Sequence, residues 1–312
     1  MTRSPSAIVF AYHNVGVRCL SVLLAHGVKV PLVVTHTDNP GETIWFKSVA
    51  ELAALHDIPV ITPDDPNTPE VIQRIRALQP DFLFSFYYRN MLKKEILDVP
   101  KYGAYNMHGS LLPQYRGRVP VNWAIIRGEK ETGSSLHVMN EKPDNGAIVD
   151  QQAVPILPDD TALDVFHKVT CAAEITLNRC LPGLIDGSAE LTPQDLSRGS
   201  YFGGRRPEDG KIRWSDTAQS IHNLVRAVAP PYPGAYTRFA GKTMRVLRTL
   251  LAPARASRSP VPAFYCENGR CHADCGDGGV LRVLSFELDG QPLTPEQFTA
   301  RFGEAPLPFE DY

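Results

Sequence analysis

The sequence predicts an α/β fold, in which a mostly parallel sheet with helices on both faces precedes a small domain resembling a β-barrel. Short apolar runs alternate with stretches of helical periodicity through the first two thirds of the chain. These runs are nearly continuous, as expected for strands that are buried on both faces of a parallel sheet. Short strand-like segments separated by turn residues follow, and the length of 312 residues suffices for two medium domains.

Local signals define the elements of the first domain. Residues 7–11 predict the first strand, and residues 12–16 predict a loop before a helix that ends near Gly27. Ser48 and Glu51 form a capping-box pattern, and Pro69 opens another helix. In chain order, the predicted elements are strand 7–11, helix 17–25, strand 30–35, helix 49–56, strand 60–61, helix 69–78, strand 82–85, a helix opening at 119–124, strand 136–138, strand 148–156 and helix 162–181.

The alternation is Rossmann-like, but the usual phosphate-binding motifs are missing from the sequence. No Gly-x-Gly-x-x-Gly follows the first strand, and no Walker-type lysine loop occurs. These absences argue against a nicotinamide dehydrogenase.

The second part of the chain is predicted to begin after a hinge at residues 202–207, which divides the protein into domains 1–203 and 204–312. A helix at 218–228 precedes strands around 235–237, 244–250, 262–266 and 280–286, a pattern that suits a small OB-like barrel. Asn268-Gly269 is a strong hairpin turn that sets Cys266 opposite Cys271. Because the six cysteines are scattered and their spacing fits no common zinc motif, we expect two reduced thiols and no metal.

Charge and hydropathy narrow the function classes. The formal net charge is −2, which gives no strong field for nucleic acid or a membrane. No apolar run approaches the ~20 residues of a membrane span, and the first residues lack the plan of a signal peptide. We therefore expect a cytoplasmic protein that neither inserts into membranes nor binds nucleic acid; the oligomeric state is not predicted.

One stretch carries most of the chemistry, namely Tyr105-Asn106-Met107-His108-Gly109-Ser110-Leu111-Leu112-Pro113. Asn106 and His108 are two apart on a predicted strand end, so their side chains point to the same side. An amide can stabilise a developing oxyanion, and an imidazole can move a proton near neutral pH. Asp144 could hold that imidazole and favour its protonated form. Taken alone, such residues are more often a capping amide, a satisfied histidine and an Asx-turn aspartate.

Together with Tyr115-Arg116-Gly117-Arg118 and Asp144-x-Gly146, this stretch resembles the signature of the folate-dependent formyltransferases. The resemblance implies a folate-dependent N-formyltransferase that uses 10-formyltetrahydrofolate and needs no metal. It implies catalytic roles for Asn106, His108 and Asp144. The folate-binding residues that it implies are Asn90, Met91, Leu92, Arg118, Asn140, Glu141, Lys142, Pro143 and Asp144.

Further segments resemble one branch of that family, the formyltransferase domain of the bifunctional polymyxin-resistance enzyme. They are Phe10-Ala11-Tyr12-His13, Thr35 to Glu42, Phe84 to Arg89, Leu224 to Val228 and Tyr232 to Tyr236. The resemblance implies a nucleotide-sugar acceptor, UDP-4-amino-4-deoxy-L-arabinose, in lipid A modification. Candidates for holding its diphosphate and base are Arg205, Arg206, Arg226 and Tyr232, and each is equally well explained as structural.

Several alternatives stay open at this point. Another UDP- or dTDP-amino sugar could be the acceptor, or methionyl-tRNA, or water in a folate hydrolase, and a non-catalytic folate-binding protein is a further possibility. A tRNA-binding enzyme should carry a strongly basic second domain. Residues 205–312 hold 14 Lys and Arg against 12 Asp and Glu, which argues against tRNA, although a basic run at residues 242–258 contains no acid.

Overall fold

A seven-stranded sheet forms the centre of the first part of the chain. The computed structural model describes residues 4–310. The strands are β1 (Ser6–Ala11), β2 (Lys29–Val34), β3 (Val60–Ile61), β4 (Phe82–Phe86), β5 (Ala104–His108), β6 (Arg116–Gly117), β7 (Glu131–Val138), β8 (Ile148–Pro155) and β9 (Tyr201–Phe202). The helices are α1 (His13–Ala25), α2 (Val49–Leu55), α3 (Pro69–Ala77), α4 (Lys94–Leu97), α5 (Pro120–Ile126) and α6 (Ala162–Asp186).

The strand order is β3-β2-β1-β4-β5-β7-β8. The first five strands are parallel to their neighbours, and β7 runs antiparallel to β5. The apolar runs explain this arrangement, because Ile8, Phe10, Leu32 and Leu83 are fully buried in one cluster with residues of the flanking helices. The prediction of a mostly parallel sheet flanked by helices is confirmed.

The start of α1 differs from its predicted position. The helix begins at His13 rather than at residue 17, so residues that were expected in a loop form its first turn. Gly16 was the misleading signal. A Cβ added there would lie 3.0 Å from Val49 and 3.1 Å from Ala11, so this glycine allows close packing against β1 and α2 rather than a loop.

The second part of the chain folds around a curled antiparallel sheet. Its elements are α7 (Ala218–Ala227), β10 (Ala235–Phe239), β11 (Lys242–Leu251), β12 (Ala263–Glu267), β13 (Arg270–Asp274), β14 (Val280–Leu288), β15 (Gln291–Pro292), α8 (Pro295–Phe302) and β16 (Leu307–Pro308). The strand order is β10-β11-β14-β13-β12-β16, with β15 paired to β14. Its core contains a cluster of fully or almost fully buried rings, Phe239, Phe264, Phe286, Phe298 and Phe309. The predicted β-barrel-like domain is present as a half-barrel.

Two compact units are present, and they interleave along the sequence. The second unit contains residues from Gly204 onward, together with Val121–Lys130 and Pro155–Phe166. Within that unit, Asn122 Nδ2 donates to the Ala227 carbonyl at 2.7 Å, which ties an upstream segment to the end of α7. The separate roles assigned to residues 1–203 and 204–312 stay a prediction.

The hairpin at Asn268-Gly269 forms as predicted. Both turn residues have positive φ angles, of 50° and 67°, and Cys266 lies directly opposite Cys271. The expectation of reduced thiols is wrong, because the structure joins these two cysteines in a disulfide. The register explains the bond, since it brings the two Cα atoms to 4.0 Å and aims both side chains to the same face.

Residues 4–310 contain neither a membrane-spanning helix nor a metal-binding cluster. No helix there is long and apolar enough to cross a membrane. No cluster of three or more histidine, cysteine, aspartate or glutamate side chains with the geometry of a metal site occurs in the same residues.

Candidate active site

Strand β5 carries two of the three predicted catalytic residues. Asn106 and His108 alternate with buried neighbours on this strand, and His108 is 6% exposed. Asp144 reaches them from the loop between β7 and β8. Its Oδ1 lies 3.5 Å from Nδ1 of His108 and 3.5 Å from Nδ2 of Asn106. The structure therefore brings the three residues together, and their catalytic roles stay a prediction.

Asp144 is held in place by its own backbone conformation and by one backbone amide. Its φ angle is +54°, a left-handed conformation that aspartate tolerates better than most residues. The amide of Gly117 donates to its Oδ2 at 2.9 Å. Burial alone would raise the pKa of Asp144, but the His108 ring and the Gly117 amide act against burial, and the pKa lies well below its usual range. The carboxylate is therefore negative near neutral pH.

His137 is a fourth member of the group, and the sequence analysis missed it. It lies opposite Asn106 in the β5–β7 register. Its Nδ1 is 2.9 Å from the Val138 carbonyl, and its Nε2 is 3.1 Å from Asn106 Nδ2 and 3.4 Å from Asp144. A neutral ring that donates from Nδ1 leaves Nε2 free to accept from the amide. His137 thus orients Asn106, and the alternation of His137 with apolar residues on β7 was the available signal.

Gly117 is required by the short parallel pair of β6 and β9. Its φ angle is +96°, and an added Cβ would lie 2.2 Å from the Phe202 carbonyl oxygen. Strand β6 pairs with β9 through Arg116 opposite Tyr201 and Gly117 opposite Phe202. The donor that fixes Asp144 is therefore supported from a distant part of the sequence.

A second hydrogen-bond network holds the loop after His108. Ser135 Oγ donates to the Ser110 carbonyl at 2.6 Å and accepts from the Leu112 amide at 3.0 Å. Gln151 Nε2 donates to both Ser135 Oγ and the Leu112 carbonyl, at 2.7 and 2.9 Å. Neighbouring strands β7 and β8 thereby fix the loop that turns the chain away from His108.

The predicted folate residues after β4 have different surroundings. Leu92 is 3% exposed and packs in the core, so it can contribute to a ligand site mainly through its backbone. Asn90 Nδ2 donates to the Asp64 carbonyl at 3.0 Å. Met91 is 57% exposed. The hydrogen bonds of this segment run to the loop between β3 and α3, rather than to Asn106, His108 or Asp144.

The remaining predicted folate residues lie in two exposed loops. The side chain of Arg118 is exposed, while its backbone amide donates to the Phe202 carbonyl at 2.9 Å. Asn140, Glu141, Lys142 and Pro143 are exposed. Asn140 Oδ1 accepts from the Lys142 amide at 2.9 Å, which shapes the loop that ends at Asp144.

Arg226, one of the residues considered for the acceptor diphosphate, has a structural role. It is 6% exposed. Its guanidinium donates to Asn223 Oδ1 at 2.9 Å and to the carbonyls of Leu157 and Asp160 at 3.3 and 3.1 Å. Burial lowers its pKa. Since its donors are already engaged, this arginine anchors the upstream segment in the second unit.

Comparisons with known proteins show which structures this chain is similar to. The chain resembles in structure an N-formyltransferase from Helicobacter canadensis in complex with folinic acid and dTDP-3-aminofucose, with 22% identity, a TM-score of 0.69, and coverage of 93% of this chain and 100% of that one. It also resembles WlaRD, a sugar 3N-formyl transferase crystallised with dTDP and 5-N-formyl-THF, with 21% identity, a TM-score of 0.70, and coverage of 93% and 98%. A sugar N-formyltransferase from Shewanella sp. FDAARGOS_354 matches with 22% identity, a TM-score of 0.62, and coverage of 78% and 96%.

At these identities, the structural likeness shows the fold alone. The family follows from the sequence models. A model described as formyl transferase matches residues 20–181, just over half of the chain. A second, described as the C-terminal domain of formyl transferase, matches residues 205–303. The chain therefore belongs to the formyl transferase family.

Proposed function

We propose that this protein transfers the formyl group of 10-formyltetrahydrofolate to the amine of a nucleotide-linked amino sugar. The observation that carries the proposal is the convergence of Asn106 Nδ2 and His108 Nδ1 on the Asp144 carboxylate, each at 3.5 Å from Oδ1. An amide donor, an imidazole and a buried carboxylate meet the two needs of formyl transfer, which are stabilisation of an oxyanion and movement of a proton.

Asn106 stabilises the oxyanion. The neutral sugar amine attacks the formyl carbon, a carbon–nitrogen bond forms, and the carbonyl electron pair moves to oxygen. Asn106 Nδ2 carries two N–H groups, of which one faces His137 Nε2 at 3.1 Å. The other N–H group points towards Asp144, with Nδ2 at 3.5 Å from Oδ1. This long hydrogen bond is weak, so the N–H group can donate to the oxyanion instead. A preorganised donor of this kind contributes ~10²–10³ in rate.

His108 moves the proton. The intermediate collapses when the bond from the formyl carbon to folate N10 breaks, N10 takes a proton from His108, and the amine returns one to the ring. Nε2 of His108 is 2.8 Å from the Tyr115 carbonyl, and Nδ1 faces the Asp144 carboxylate. A protonated ring satisfies both contacts. For this transfer, the Nε2–H group of His108 must give up its hydrogen bond to the Tyr115 carbonyl and donate to folate N10 instead.

The folate subsite in this proposal comprises residues 90–92, Arg118 and the loop 140–144. Met91, Arg118 and Lys142 have exposed side chains, so a ligand can reach them. The two cationic side chains suit the carboxylates of a folate. We assign formyl transfer and folate binding to residues 1–203. In this proposal, residues 204–312 are an accessory OB-like domain.

For the acceptor, we propose a nucleotide sugar rather than tRNA. The five basic residues of the acid-free run at 242–258 support this choice, because four of them have an acidic partner in the structure. Arg255 and Arg258 pair with Glu267, Lys242 with Asp289, and Arg245 lies 4.0 Å from Glu287. Such pairing weakens the positive field that a polyanion needs.

Within the nucleotide sugars, the proposed acceptor is UDP-4-amino-4-deoxy-L-arabinose, which would place the reaction in lipid A modification and polymyxin resistance. The support is the resemblance of the segments at residues 10–13, 35–42, 84–89, 224–228 and 232–236. Two of the similar structures contain dTDP or a dTDP-linked amino sugar, so another nucleotide sugar is the alternative to be tested.

The test is a formylation assay of the purified protein with 10-formyltetrahydrofolate and a panel of acceptors. The panel contains UDP-4-amino-4-deoxy-L-arabinose, other UDP- and dTDP-amino sugars, and methionyl-tRNA. We expect the highest kcat/KM for the arabinose derivative. Higher activity with a dTDP sugar would correct the acceptor, and release of formate without any formylated acceptor would instead indicate a hydrolase.

A salt series separates the sugar and tRNA alternatives further. Counterion release makes tRNA binding steeply salt-dependent, whereas a nucleotide sugar has two phosphates and should lose little affinity. Transfer to methionyl-tRNA that weakens by orders of magnitude with salt, without transfer to any amino sugar, would overturn the proposal.

A further inference from the structure

One side-chain amide from the loop between β3 and α3 contacts two backbone groups of the segment that follows β4. Asn67 Oδ1 accepts from the Lys93 amide at 2.8 Å, and Asn67 Nδ2 donates to the Met91 carbonyl at 3.0 Å. The amide thus satisfies one backbone donor and one backbone acceptor two residues apart, as a neighbouring strand would.

Asn67 is itself rigid. Asp65 Oδ1 accepts from both the backbone amide and Nδ2 of Asn67, each at 2.9 Å. These hydrogen bonds lower the pKa of Asp65, so its carboxylate stays ionised. Thr68, the next residue, caps α3 by accepting from the Val71 amide, and Pro69 occupies the first turn of the helix. The amide of Asn67 therefore has a fixed position before it contacts the segment.

Two other contacts complete the attachment of the segment. Asn90 Nδ2 donates to the Asp64 carbonyl at 3.0 Å, and Leu92 is buried in the core. Met91 lies between these anchors with its side chain 57% exposed. Residues 90–92 are thus held in one backbone conformation while one apolar side chain remains accessible.

We propose that Asn67 is a positioning residue for the folate subsite, which fixes the backbone of residues 91–93 so that it can bind the co-substrate without a prior ordering step. This inference rests on the proposed function, because that proposal assigns residues 90–92 to folate. A preordered segment avoids the entropy cost of ordering on binding. Loss of the amide should weaken folate binding without affecting the acceptor.

The experiment compares Asn67→Ala and Asn67→Asp with the wild-type protein. Aspartate keeps the shape of asparagine but replaces the donor Nδ2 by an oxygen facing the Met91 carbonyl and the Asp65 carboxylate. We expect both variants to raise the Kd for folinic acid, measured by calorimetry, by roughly tenfold. The KM for the formyl donor should rise similarly, with the acceptor KM and kcat changed by less than about twofold.

Hydrogen exchange supplies a readout that does not depend on catalysis. In both variants the Lys93 amide should lose protection, and in the wild type folinic acid should increase protection over residues 90–93. Asn178→Ala is the matched control, because Asn178 forms an exposed side-chain hydrogen bond with His26 and should bind folinic acid as the wild type does.

The outcomes distinguish this inference from the function on which it rests. If the wild type binds folinic acid and Asn67→Asp binds it equally well, the inference is overturned and the proposed function stands. If the wild type binds no folate, the proposed function fails and the inference fails with it. Weakened binding together with exposure of the Lys93 amide supports both.

Discussion

Replacing Asp144 by asparagine removes one negative charge from the proposed catalytic group of Asn106, His108 and Asp144 and keeps the shape of the side chain. The left-handed backbone of Asp144, with φ of +54°, is tolerated by asparagine. The oxygen of the new amide can still accept from the Gly117 amide, which now donates to Oδ2 at 2.9 Å. The substitution therefore tests the charge and not the packing.

The distances set the expected size of the effect. Asp144 Oδ1 lies 3.5 Å from Nδ1 of His108, and the two side chains are 12% and 7% exposed. At an effective dielectric constant of about 20, a charge pair at this distance attracts by roughly 4–5 kcal/mol, and residual solvent reduces that figure. Since about 1.4 kcal/mol corresponds to a factor of ten in rate, we expect kcat to fall by ~10²–10³-fold.

Steady-state kinetics with the preferred acceptor is the assay. Asp150→Asn is the matched control, because Asp150 forms an ion pair with Arg179 and is separate from the catalytic group. The control should keep wild-type kcat. A folded Asp144→Asn variant with kcat within about threefold of the wild type would show that the negative charge is not needed for proton transfer.

The same variant makes a prediction about stability at low pH. The pKa of Asp144 is lower in the folded than in the unfolded chain, where an aspartate titrates at about 3.9. The carboxylate therefore stabilises the fold above that pH, and this contribution is lost as pH falls through the lower folded-state pKa. In denaturation measured from pH 6 to 3, the stability difference between wild type and variant should shrink below about pH 4. A difference that grows on acidification would contradict the reasoning.

Three further predictions follow from the site and the hairpin. His137→Leu removes the acceptor that orients the catalytic amide, so kcat should fall roughly tenfold with the folate KM unchanged; equal kcat would show that the amide needs no such partner. Gly117→Ala should lower the free energy of unfolding, measured in urea, by about 1–3 kcal/mol. The control Gly203→Ala, where an added Cβ meets nothing within 4 Å, should keep the wild-type value. Equal stability of the two variants would show that a Cβ at residue 117 does not clash with Phe202. Reduction of the Cys266–Cys271 disulfide, which spans five residues, should lower stability by at most ~2 kcal/mol in thermal unfolding and leave kcat unchanged; inactivation on reduction would link the hairpin to the active site.

Much of the fold could be predicted because local sequence and tertiary structure agree. The fully buried β1 is a continuous apolar run, as expected for a central parallel strand. The Asn268-Gly269 dipeptide predicted the register of its hairpin correctly. The start of α1 could not be predicted, since Gly16 is needed for a contact with Val49 that is distant in sequence.

The proximity of two candidate catalytic residues could be predicted for a similar reason. Asn106 and His108 are two apart on one strand, so the pattern itself placed them together. His137 depends on the register between β5 and β7, which no local pattern specifies. The disulfide was missed because cysteine spacing alone does not indicate whether two facing thiols are oxidised.

The short pair of β6 and β9 has a consequence for how the site is assembled during synthesis. Arg116 pairs with Tyr201 across 85 residues of chain, and the adjacent Gly117 supplies the amide that fixes Asp144. The ribosome must therefore release the chain through Phe202 before this support can form. Contacts of such long sequence separation form late and slowly. A nascent or truncated chain that ends before β9 should form the central sheet but leave the Asp144 carboxylate less well fixed. We therefore expect a minimal active fragment to extend through Phe202.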